Sequence, residues 1–370
     1  MEWVRLGDLA TYINGYAFKP TQWKKKGIPI IRIQNLTNSN SSYNYTDIDL
    51  DDRYKVSRGD ILISWSATLD VYEWDEDLAY LNQHIFKVDF DKTEINKVFF
   101  KYFVKYALIS SSKNAHGSTM KHLTRKNFEK IKIPKISLEL QNKLANLLNN
   151  VTELIKIRKE QIQAYDDLIE SLFFEMFNSL NTSDISLKKL IKFSKNSISD
   201  FTDYLDENYI GVEDIEKETG KILKIEKVSN SNIKSSKNYF TKDDVLYSRI
   251  RPNLNKVALP NFNGLVSSEV FVINCSDKIN KYFLAYTLRS KKFVSYAMLN
   301  SSGANFPRVN KKTIEDYKVK VPPIELQNKF ADYVLKIEEE KKKLNASLLE
   351  LESLFDALME DAFSGNLFKE

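Results

Sequence analysis

The chain repeats itself once, and each copy ends in a long amphipathic stretch. The first copy passes through Lys130–Pro134 and then Leu138–Lys143, and the second passes through Lys318–Pro322 and then Ile324–Lys329. Pro134 and Pro322 stand 188 positions apart (322 − 134), which is about half of the chain. Self-similarity over this distance indicates that one domain-plus-helix unit is used twice.

Apolar residues in the two long stretches recur in steps that alternate between four and three, as in the seam of a coiled coil. The predicted seam of the first stretch consists of Leu144, Leu148, Val151, Ile155, Arg158, Ile162, Tyr165, Ile169, Leu172 and Met176. That of the second consists of Leu326, Phe330, Tyr333, Ile337, Glu340, Leu344, Leu348, Leu351, Phe355 and Leu358, where two successive steps of four indicate a stutter. The charged run 338–343 predicts a solvated helix face.

A helix of roughly 40 residues is about 60 Å long, which exceeds what the core of a small domain requires. We therefore predict that the two helices pack on each other as an antiparallel coiled coil, with the domains related by an approximate two-fold axis. The alternative is that each helix lies on its own domain. A shared Leu-x-x-Leu spacing at Leu6–Leu9 and Leu187–Leu190 indicates a circular order, and the tail 362–367 is expected to return near the N-terminus.

Short aliphatic and aromatic runs broken by Asn, Ser, Gly and Asp predict strands in both halves. They are 28–33, 60–64 and 85–88 in the first half, and 244–248 and 269–273 in the second. More helical segments follow at 96–108 and 281–299. The predicted fold class is therefore α+β, with recognition domains at 1–136 and 181–322 and helical segments at 137–180 and 323–370.

Composition and motifs argue against an enzyme. The net charge of +5 permits an acidic partner without requiring one, and the lone Cys275 is expected in a buried strand. The chain lacks a Gly-x-x-x-x-Gly-Lys loop, a His-Glu-x-x-His motif and a Gly-x-Ser-x-Gly motif. His84, His116 and His122 stand in polar loops, and we predict neither catalysis nor a metal site there. The absence of a signal peptide or an apolar run of about 18 residues predicts a cytoplasmic protein that does not enter a membrane.

Basic and amide-bearing loops offer groups that suit a nucleic acid, since Arg, Asn and Gln read base edges while Lys holds phosphates. The candidate DNA-binding residues of the first half are Arg32, Gln34, Asn35, Ser64, Trp65, Asn82, Gln83, Thr119 and Lys121. Those of the second half are Arg249, Arg251, Asn253, Asn255, Ser267, Asn305 and Arg308. The principal contacts are predicted to be Lys121, Gln34 and Asn35 in the first half, and Arg249, Arg251 and Arg308 in the second.

With these segments in this order, the chain resembles the specificity subunit of a type I restriction-modification system over essentially its whole length. The matching motifs are the two Pro…Glu-Leu-Gln helix starts, the stretches 58–64 and 245–254, and Gly117–Met120 with its counterpart Gly303–Phe306. The resemblance implies a protein without catalytic activity or a cofactor of its own. Each domain would read one half of a bipartite double-stranded DNA target, and the helices would set the gap, with length variation at segments such as Thr152–Ile155.

The resemblance also implies partners. Two methyltransferase subunits that use S-adenosylmethionine would dock on the helices, and restriction translocase subunits that use ATP and Mg²⁺ would join that core. Three other interpretations stay open: the recognition subunit of another restriction-modification class, a coiled-coil scaffold that binds no DNA, and an enzyme in its own right.

Overall fold

The computed structural model describes residues 2–38, 40–66, 68–113, 124–179, 183–303 and 305–368, and the side chains of 111–113 and 368 lie outside this description. The chain divides into two compact units. The first unit contains Met1–Ile157 together with Ser347–Glu370, and the second contains Arg158–Ala346. The C-terminal segment therefore belongs with the N-terminal domain, which confirms the predicted circular order.

The first unit contains ten short strands and the beginning of a long helix within the described residues. The strands are β1 Trp3–Arg5, β2 Thr11–Asn14, β3 Ile28–Ile31, β4 Asn44–Thr46, β5 Lys55–Val56, β6 Ile61–Ser64, β7 Asp70–Glu73, β8 Ala79–Leu81, β9 Ile85–Asp89 and β10 Lys132–Pro134. The helices are α1 Leu6–Leu9, α2 Ile33–Thr37, α3 Lys97–Lys113, α4 Arg125–Phe128 and the long α5 Leu138–Phe177, which begins here.

The second unit repeats this order of elements. Its strands are β11 Asp184–Ser186, β12 Ile191–Phe193, β13 Ser197–Ile198, β14 Asn208–Ile210, β15 Glu226–Lys227, β16 Lys237–Phe240, β17 Val245–Ser248, β18 Val257–Ala258, β19 Gly264–Ser267, β20 Val270–Cys275 and β21 Lys318–Lys320. Its helices are α6 Lys281–Arg289, α7 Lys291–Leu299, α8 Lys311–Asp316 and the long α9 Ile324–Ser364, which begins here. The helical segment predicted over 281–299 is confirmed as two helices, which divide at Ser290, whose hydroxyl accepts a hydrogen bond from the Phe293 N–H and so starts α7.

The sheets of the two units match strand for strand. An antiparallel sheet in the order β2-β9-β6-β7 corresponds to β12-β20-β17-β18. A mixed sheet in the order β4-β3-β8-β5 corresponds to β15-β14-β19-β16, to which β13 adds an edge. In both mixed sheets the central pair is parallel, β3 with β8 and β14 with β19. The duplication predicted from the sequence is therefore a duplication of topology.

The central strands β6 and β17 are buried along their whole length because they serve two cores at once. Side chains alternate between the faces of a strand. Ile61 and Ile63 pack into the helix-covered core, and Leu62 enters the core shared with the mixed sheet. In β17, Val245 and Tyr247 face the helix-covered core, and Leu246 enters the smaller core. This double burial explains why both strands read as continuous apolar runs.

A glutamine–asparagine clamp ties each domain to the long helix that follows it. The Gln141 Oε1 atom accepts a hydrogen bond from the Asn96 N–H at 2.9 Å, and the Asn142 Oδ1 atom accepts one from the Asn96 Nδ2 atom at 2.7 Å. In the second unit Gln327 and Asn328 bind Asn280 in the same way, both at 2.8 Å. The repeated Leu-Gln-Asn-Lys motif is therefore a joint between domain and helix.

The long helices pack on each other, as contacts in the second unit show. In the second unit Phe173 and Phe177 of α5 contact Phe330 of α9, and the Lys341 Nζ atom lies 2.6 Å from the Asp166 Oδ1 atom. Asp166 of α5 contacts Lys341 of α9, and the later Phe173 of α5 contacts the earlier Phe330 of α9. The helices therefore run antiparallel, as predicted. In the first unit Phe363 of α9 stacks on Phe103 and contacts the ring of Trp3, so the tail does return to the N-terminus.

The seam predicted on α5 is confirmed, because all ten residues are buried or half-buried. On α9 the prediction was wrong at Tyr333 and Glu340, which are exposed. Val334 and Lys341 lie in the seam instead. With these two residues the steps from Phe330 alternate four and three without a stutter. The prediction that the whole charged run 338–343 is solvated was wrong at Lys341, because this side chain lies in the seam.

Candidate nucleic-acid interface

The candidate residues of the first unit gather where two parallel strands end. Ile31 of β3 pairs with Leu81 of β8, so the residues that follow them, Arg32 and Asn82, leave the sheet at the same edge. The Asn82 N–H donates to the Ile31 carbonyl at 3.1 Å, and the Gln83 N–H donates to the Tyr16 carbonyl at 2.9 Å. The turn between β8 and β9 is thus held to β3 by backbone hydrogen bonds.

Trp65 joins this edge from β6. Its backbone N–H donates to the His84 carbonyl at 3.2 Å, and the indole lies edge-on to the imidazole with ring centroids 4.9 Å apart. The indole also stacks on Phe86 at 5.7 Å. His84 adopts a φ of 75°, a left-handed conformation that non-glycine residues rarely adopt and that turns the chain sharply into β9. The Trp65 ring is therefore fixed from two sides.

Four buried polar atoms at this edge have no hydrogen-bond partner among the described residues. They are Arg32 Nε, Trp65 Nε1, Asn82 Oδ1 and His84 Nδ1. An unsatisfied buried donor or acceptor costs about 1–3 kcal/mol, so native proteins rarely keep one without a reason. Four unpaired polar atoms from four different side chains on one edge point to a ligand that forms hydrogen bonds. The Arg32 guanidinium lies 5.5 Å from the ring of the exposed Trp23, which extends the edge with a flat aromatic surface.

The structure gives two predicted residues of the first half a role inside the fold. Asn35 is buried, its Oδ1 atom accepts from the Arg32 N–H, and its Nδ2 atom donates to the carbonyls of Ser41 and Ser42. Ser64 is fully buried and its hydroxyl donates to the Thr68 carbonyl. These hydrogen bonds occupy the polar atoms of both side chains. Their binding to DNA stays a prediction that these contacts do not support.

Of the other first-half candidates, two lie at this edge and two lie outside the described residues. Gln34 and Gln83 are exposed and offer free side-chain amides at the same edge. Thr119 and Lys121 lie outside the described residues, as do His116 and His122.

The second unit places a charged cluster at the equivalent edge. The Arg249 N–H donates to the Glu269 carbonyl at 2.9 Å, as Trp65 does to His84. The Glu269 carboxylate stands between two guanidinium groups, with Oε2 3.5 Å from Arg249 Nε and Oε1 3.5 Å from Arg308 Nη2. Arg249 also lies 5.6 Å from the Phe271 ring. We call Arg249, Glu269 and Arg308 the arginine–glutamate cluster.

Backbone pairing between two loops supports this cluster. The Arg251 N–H donates to the Pro307 carbonyl at 2.7 Å, and the Val309 N–H donates to the Arg249 carbonyl at 2.8 Å. The Arg251 guanidinium lies 4.5 Å from the ring of Phe306, which is 54% exposed. Three arginines thus stand on one rigid frame at the protein surface.

The amide and hydroxyl candidates of the second half differ in accessibility. Asn253 and Asn305 are exposed, and Ser267 is half-buried with its hydroxyl accepting from the Glu269 N–H at 3.3 Å. Asn255 is buried, adopts a φ of 50°, and donates through Nδ2 to Glu218 Oε2 and to the Arg289 carbonyl. Asn255 therefore holds the turn that carries Arg251, and its direct contact with DNA stays a prediction.

Sequence reasoning missed three residues at these edges. Trp23 precedes a run of three lysines, and an aromatic ring beside basic residues is a signal that could have been used. Glu269 and Phe306 stand in loops that the sequence singles out, but they were not among the candidate DNA-binding residues. Both are found only through their contacts with arginines.

Other kinds of site are not evident in the part of the chain that the structure describes. Its His, Cys, Asp and Glu side chains form no group of three or more that could hold a metal ion. None of its helices is both long and apolar enough to span a membrane.

Comparison with protein families gives a match over most of the chain. A family model described as the type I restriction modification DNA specificity domain matches residues 1–164 and again residues 182–352. The two matches correspond to the two repeats. Together they cover far more than half of the sequence.

Three characterised relatives are similar to the chain. The EcoDI specificity subunit of a type I restriction enzyme from Escherichia coli is 27% identical over 169 residues, which span 45% of this chain and 38% of the relative. The EcoBI specificity subunit from the same species is 28% identical over 167 residues, spanning 43% and 35%. The MjaVIII specificity subunit from Methanocaldococcus jannaschii is 20% identical over 383 residues, spanning 91% and 86%. The chain thus matches well under half the length of the two Escherichia coli relatives.

Solved structures share the fold. The S subunit of a type I restriction-modification system from M. genitalium aligns with a TM-score of 0.57 at 15% identity, covering 98% of this chain and 96% of that one. A chain from a study of complex assembly and conformational transition in a type I system aligns with the same score and identity, covering 98% and 97%.

Proposed function

Because the chain belongs to the type I restriction modification DNA specificity domain family, we propose that it is the non-catalytic specificity subunit of a type I restriction-modification complex in the cytoplasm. Each repeat reads one half of a bipartite double-stranded DNA target. The observation that carries this proposal is the pair of equivalent edges, one with Trp65 against His84 and the other with Arg249 against Glu269. One scaffold that presents two different sets of side chains suits a reader of two different half-sites.

In the second repeat the arginines supply the main contacts. A guanidinium forms two parallel hydrogen bonds with guanine O6 and N7 in the major groove, and it also pairs with phosphate. Arg249, Arg251 and Arg308 are partly or fully exposed and sit on loops fixed by backbone hydrogen bonds. Loops of this kind lose little conformational entropy on binding, which favours a specific contact over a loose electrostatic one.

In the first repeat amide and aromatic groups replace most of the charge. The exposed Gln34 and Gln83 can bind adenine through N6 and N7, and the unpaired Arg32 Nε and Trp65 Nε1 atoms offer further donors. This half-site should therefore depend less on salt than the half-site of the second repeat, because fewer charges meet the DNA.

The two long helices set the distance between the half-sites. An insertion of four residues in the segment Thr152–Ile155 adds about one helical turn, or about 6 Å, to α5. We expect such an insertion to lengthen the unread gap of the target while leaving both half-sites unchanged.

Apolar residues on the outer faces of the helices supply a docking surface for methyltransferase subunits. Large apolar side chains that remain exposed there are Leu147, Leu154, Ile157, Leu168, Phe174, Leu335, Leu349 and Leu354. Exposed apolar patches mark protein interfaces. In this proposal the two methyltransferase subunits bring S-adenosylmethionine, and the restriction translocase subunits bring ATP and Mg²⁺.

The proposal is tested by expressing the chain with its methyltransferase and mapping methylated bases genome-wide. We expect one bipartite motif for the wild type. Arg308→Ala should abolish methylation of that motif without preventing co-purification of the methyltransferase. Arg5→Ala is the matched control, since Arg5 forms an exposed ion pair with Asp8 and is none of the candidate DNA-binding residues, so it should leave the motif intact.

Gel shifts with random duplex DNA separate this proposal from a scaffold that binds no DNA. Phosphate contacts make the logarithm of the binding constant fall linearly with the logarithm of salt concentration. Full methylation by the Arg308→Ala variant would reject the assignment of the second edge, and binding that ignores salt would reject a DNA reader altogether.

A further inference from the structure

Glu269 is out of place in a surface that meets DNA. A carboxylate repels phosphate, yet this one stands between Arg249 and Arg308 with each of its oxygens 3.5 Å from a guanidinium nitrogen. The cluster keeps a net charge of only +1 from two arginines and one glutamate. A pure phosphate-binding site would gain from the loss of Glu269, so its position calls for another explanation.

The accessibility of single atoms indicates what that explanation is. Glu269 Oε2 and Arg249 Nε are both buried, and neither forms a hydrogen bond among the described residues. The two atoms face each other at 3.5 Å, which is longer than a charge-assisted hydrogen bond of about 2.7–2.9 Å. Since Oε2 faces the Arg249 Nε atom directly, it acts on Arg249 and not on DNA. With its Nε edge turned to Glu269, Arg249 keeps its terminal nitrogens for a ligand.

The backbone holds both arginines in one frame around the carboxylate. Arg249 donates its N–H to the Glu269 carbonyl, Val309 donates its N–H to the Arg249 carbonyl, and Ile250 forms a β-bridge with Arg308. Arg308 is further bridged to Ser302, with N–H to carbonyl hydrogen bonds of 2.8 and 3.0 Å in the two directions. Only the side chains of the two arginines remain free to move, and the Glu269 carboxylate between them restricts that movement.

We propose that Glu269 is a positioning residue that aims Arg249 and Arg308 at guanine bases in the half-site read by the second repeat. This inference rests on the proposed function. Guanine is the base whose O6 and N7 atoms accept two parallel hydrogen bonds from a guanidinium, and each such pair discriminates against a wrong base by about 1–3 kcal/mol. A guanidinium held in one orientation discriminates better than one that swings between phosphate and base, since the phosphate contact carries no sequence information.

The test is a selection of bound sequences from a randomised duplex library by the full chain together with its methyltransferase. We expect the wild type to select a bipartite motif with guanine in the half-site that Arg249→Ala and Arg308→Ala alter. Glu269→Gln should reduce the guanine preference at the positions of both arginines together, by about tenfold. Affinity for non-specific duplex should stay equal or rise because a negative charge is removed, and the first half-site should remain unchanged.

Two comparisons separate positioning from a general structural effect. Glu226→Gln removes an equally exposed carboxylate from another ion pair of the same unit, with Lys224, and should leave the motif as it is. Arg249→Lys and Arg308→Lys keep the charge and lose the two-pronged donor, so they should lose guanine preference while keeping salt-dependent binding. These lysine variants also test the reading of guanine should Glu269→Gln fail to fold.

Several outcomes would overturn the inference. A second half-site without guanine, or a wild-type motif from Glu269→Gln, would sink it and leave the proposed function standing. Loss of a single cytosine preference in Glu269→Gln would mean that Glu269 reads a base itself, which contradicts positioning. A wild-type complex that selects no motif would remove the proposed function and this inference together.

Discussion

The two repeats use the same backbone contacts to hold opposite kinds of chemistry. At the end of β6 the Trp65 N–H donates to the His84 carbonyl, and at the end of β17 the Arg249 N–H donates to the Glu269 carbonyl. One pair is aromatic, with ring centroids 4.9 Å apart, and the other is an ion pair. The frame that positions these residues is made of main-chain atoms, so side chains at the edge can change without loss of the fold. This separation of scaffold from recognition is what a reader of many different sequences requires.

The chain also carries a separate probe for each repeat, which makes the comparison measurable. All four tryptophans, Trp3, Trp23, Trp65 and Trp74, belong to the first unit, and the only cysteine, Cys275, belongs to the second. Tryptophan fluorescence therefore follows the unfolding of the first unit, and the accessibility of the Cys275 thiol follows that of the second.

The largest expected difference in stability between the repeats concerns the residue three positions after the glutamine of each clamp. This residue is Leu144 in the first repeat and Phe330 in the second. Phe330 is fully buried against Phe173, Phe177 and Tyr286. Phe330→Ala should lower the free energy of unfolding of the second unit by about 3–5 kcal/mol, and Leu144→Ala should lower that of the first by about 2–5 kcal/mol. The measurement is urea denaturation of the full chain with both probes.

Each of these variants serves as the control for the other. Phe330→Ala should move the thiol-exposure midpoint more than the fluorescence midpoint, and Leu144→Ala should do the reverse. Equal shifts of both probes in both variants would show that the chain unfolds as one body, and the separation into two units would then have no energetic meaning.

A smaller difference is expected at the clamp itself. Gln327 is fully buried, and besides binding Asn280 its Nε2 atom donates to the carbonyls of Lys278 and Pro322. Gln141 binds Asn96 and donates to one carbonyl, that of Ile136. Gln327→Ala should therefore destabilise its unit by about 2–3 kcal/mol and Gln141→Ala by less, since fewer buried groups lose a partner.

Lys143→Ala provides the background value for the clamp variants, because Lys143 pairs with Glu139 on an exposed helix face and should change stability by less than about 1 kcal/mol. A Gln141→Ala variant less stable than Gln327→Ala would contradict the ranking by hydrogen bonds.

The repeat, the order of elements and the α5 seam could be predicted from the sequence because they depend on period and spacing. The α9 seam could not be predicted in full. The steps were counted from Leu326 and passed through Tyr333 and Glu340, which required a stutter, whereas Val334 and Lys341 occupy the seam, with Lys341 beside Asp166. Burial alone would lower the pKa of Lys341, but hydrogen bonds from its ammonium to Asp166 and Glu338 outweigh burial and raise it. A partner 175 positions away decided the register.

The candidate edges show a similar limit. Asn35 and Asn255 look like base readers in a list of polar loop residues, yet their amides close turns inside the fold. Glu269 looks unsuited to DNA and turns out to stand at the centre of the arginine–glutamate cluster. Side-chain type predicts which groups could bind DNA, but the choice between a turn and a ligand depends on neighbours that only the folded chain supplies.

The next effect concerns binding and not stability. The Trp65 Nε1 atom is buried without a hydrogen-bond partner among the described residues. Trp65→Phe removes this donor and keeps a ring that can stack on Phe86. We expect DNA affinity to fall by about 1 kcal/mol, which is about fivefold, with preference lost in the first half-site alone. Trp74→Phe is the matched control, since Trp74 Nε1 already donates to the Asp77 carbonyl.

The outcome at Trp65 tests whether the unpaired atoms of the first edge serve a ligand. A variant with unchanged affinity and a higher midpoint of unfolding would mean that the unpaired indole N–H only costs stability. A loss of preference in the second half-site would break the assignment of one half-site to each repeat.

The smallest expected effect distinguishes the ends of two equivalent strands. Cys275 on β20 pairs with Ile191, and its counterpart in the first repeat is the half-buried Phe90, the residue that follows β9. Burial first and the charge of Asp244 second raise the pKa of the Cys275 thiol, Lys281 opposes them, and the net result is a pKa of about 12. The native thiol should therefore stay protonated and react with a thiol reagent at pH 8 far more slowly than the urea-unfolded chain, because the thiolate is the nucleophile.

The raised pKa also sets the sign of a pH dependence. An unfolded thiol ionises near pH 8.5 and the folded one only near 12, so the unfolded chain loses its proton first. The stability due to this thiol is present in full below about pH 8.5 and falls as the pH rises toward 12. Cys275→Ala removes this contribution, so the advantage of the wild type over the variant in urea midpoint should shrink between pH 8 and pH 10.5. An advantage that grows over this interval would mean that the thiolate is stabilised in the fold, and the end of β20 would then differ in kind from the apolar position of Phe90 after β9.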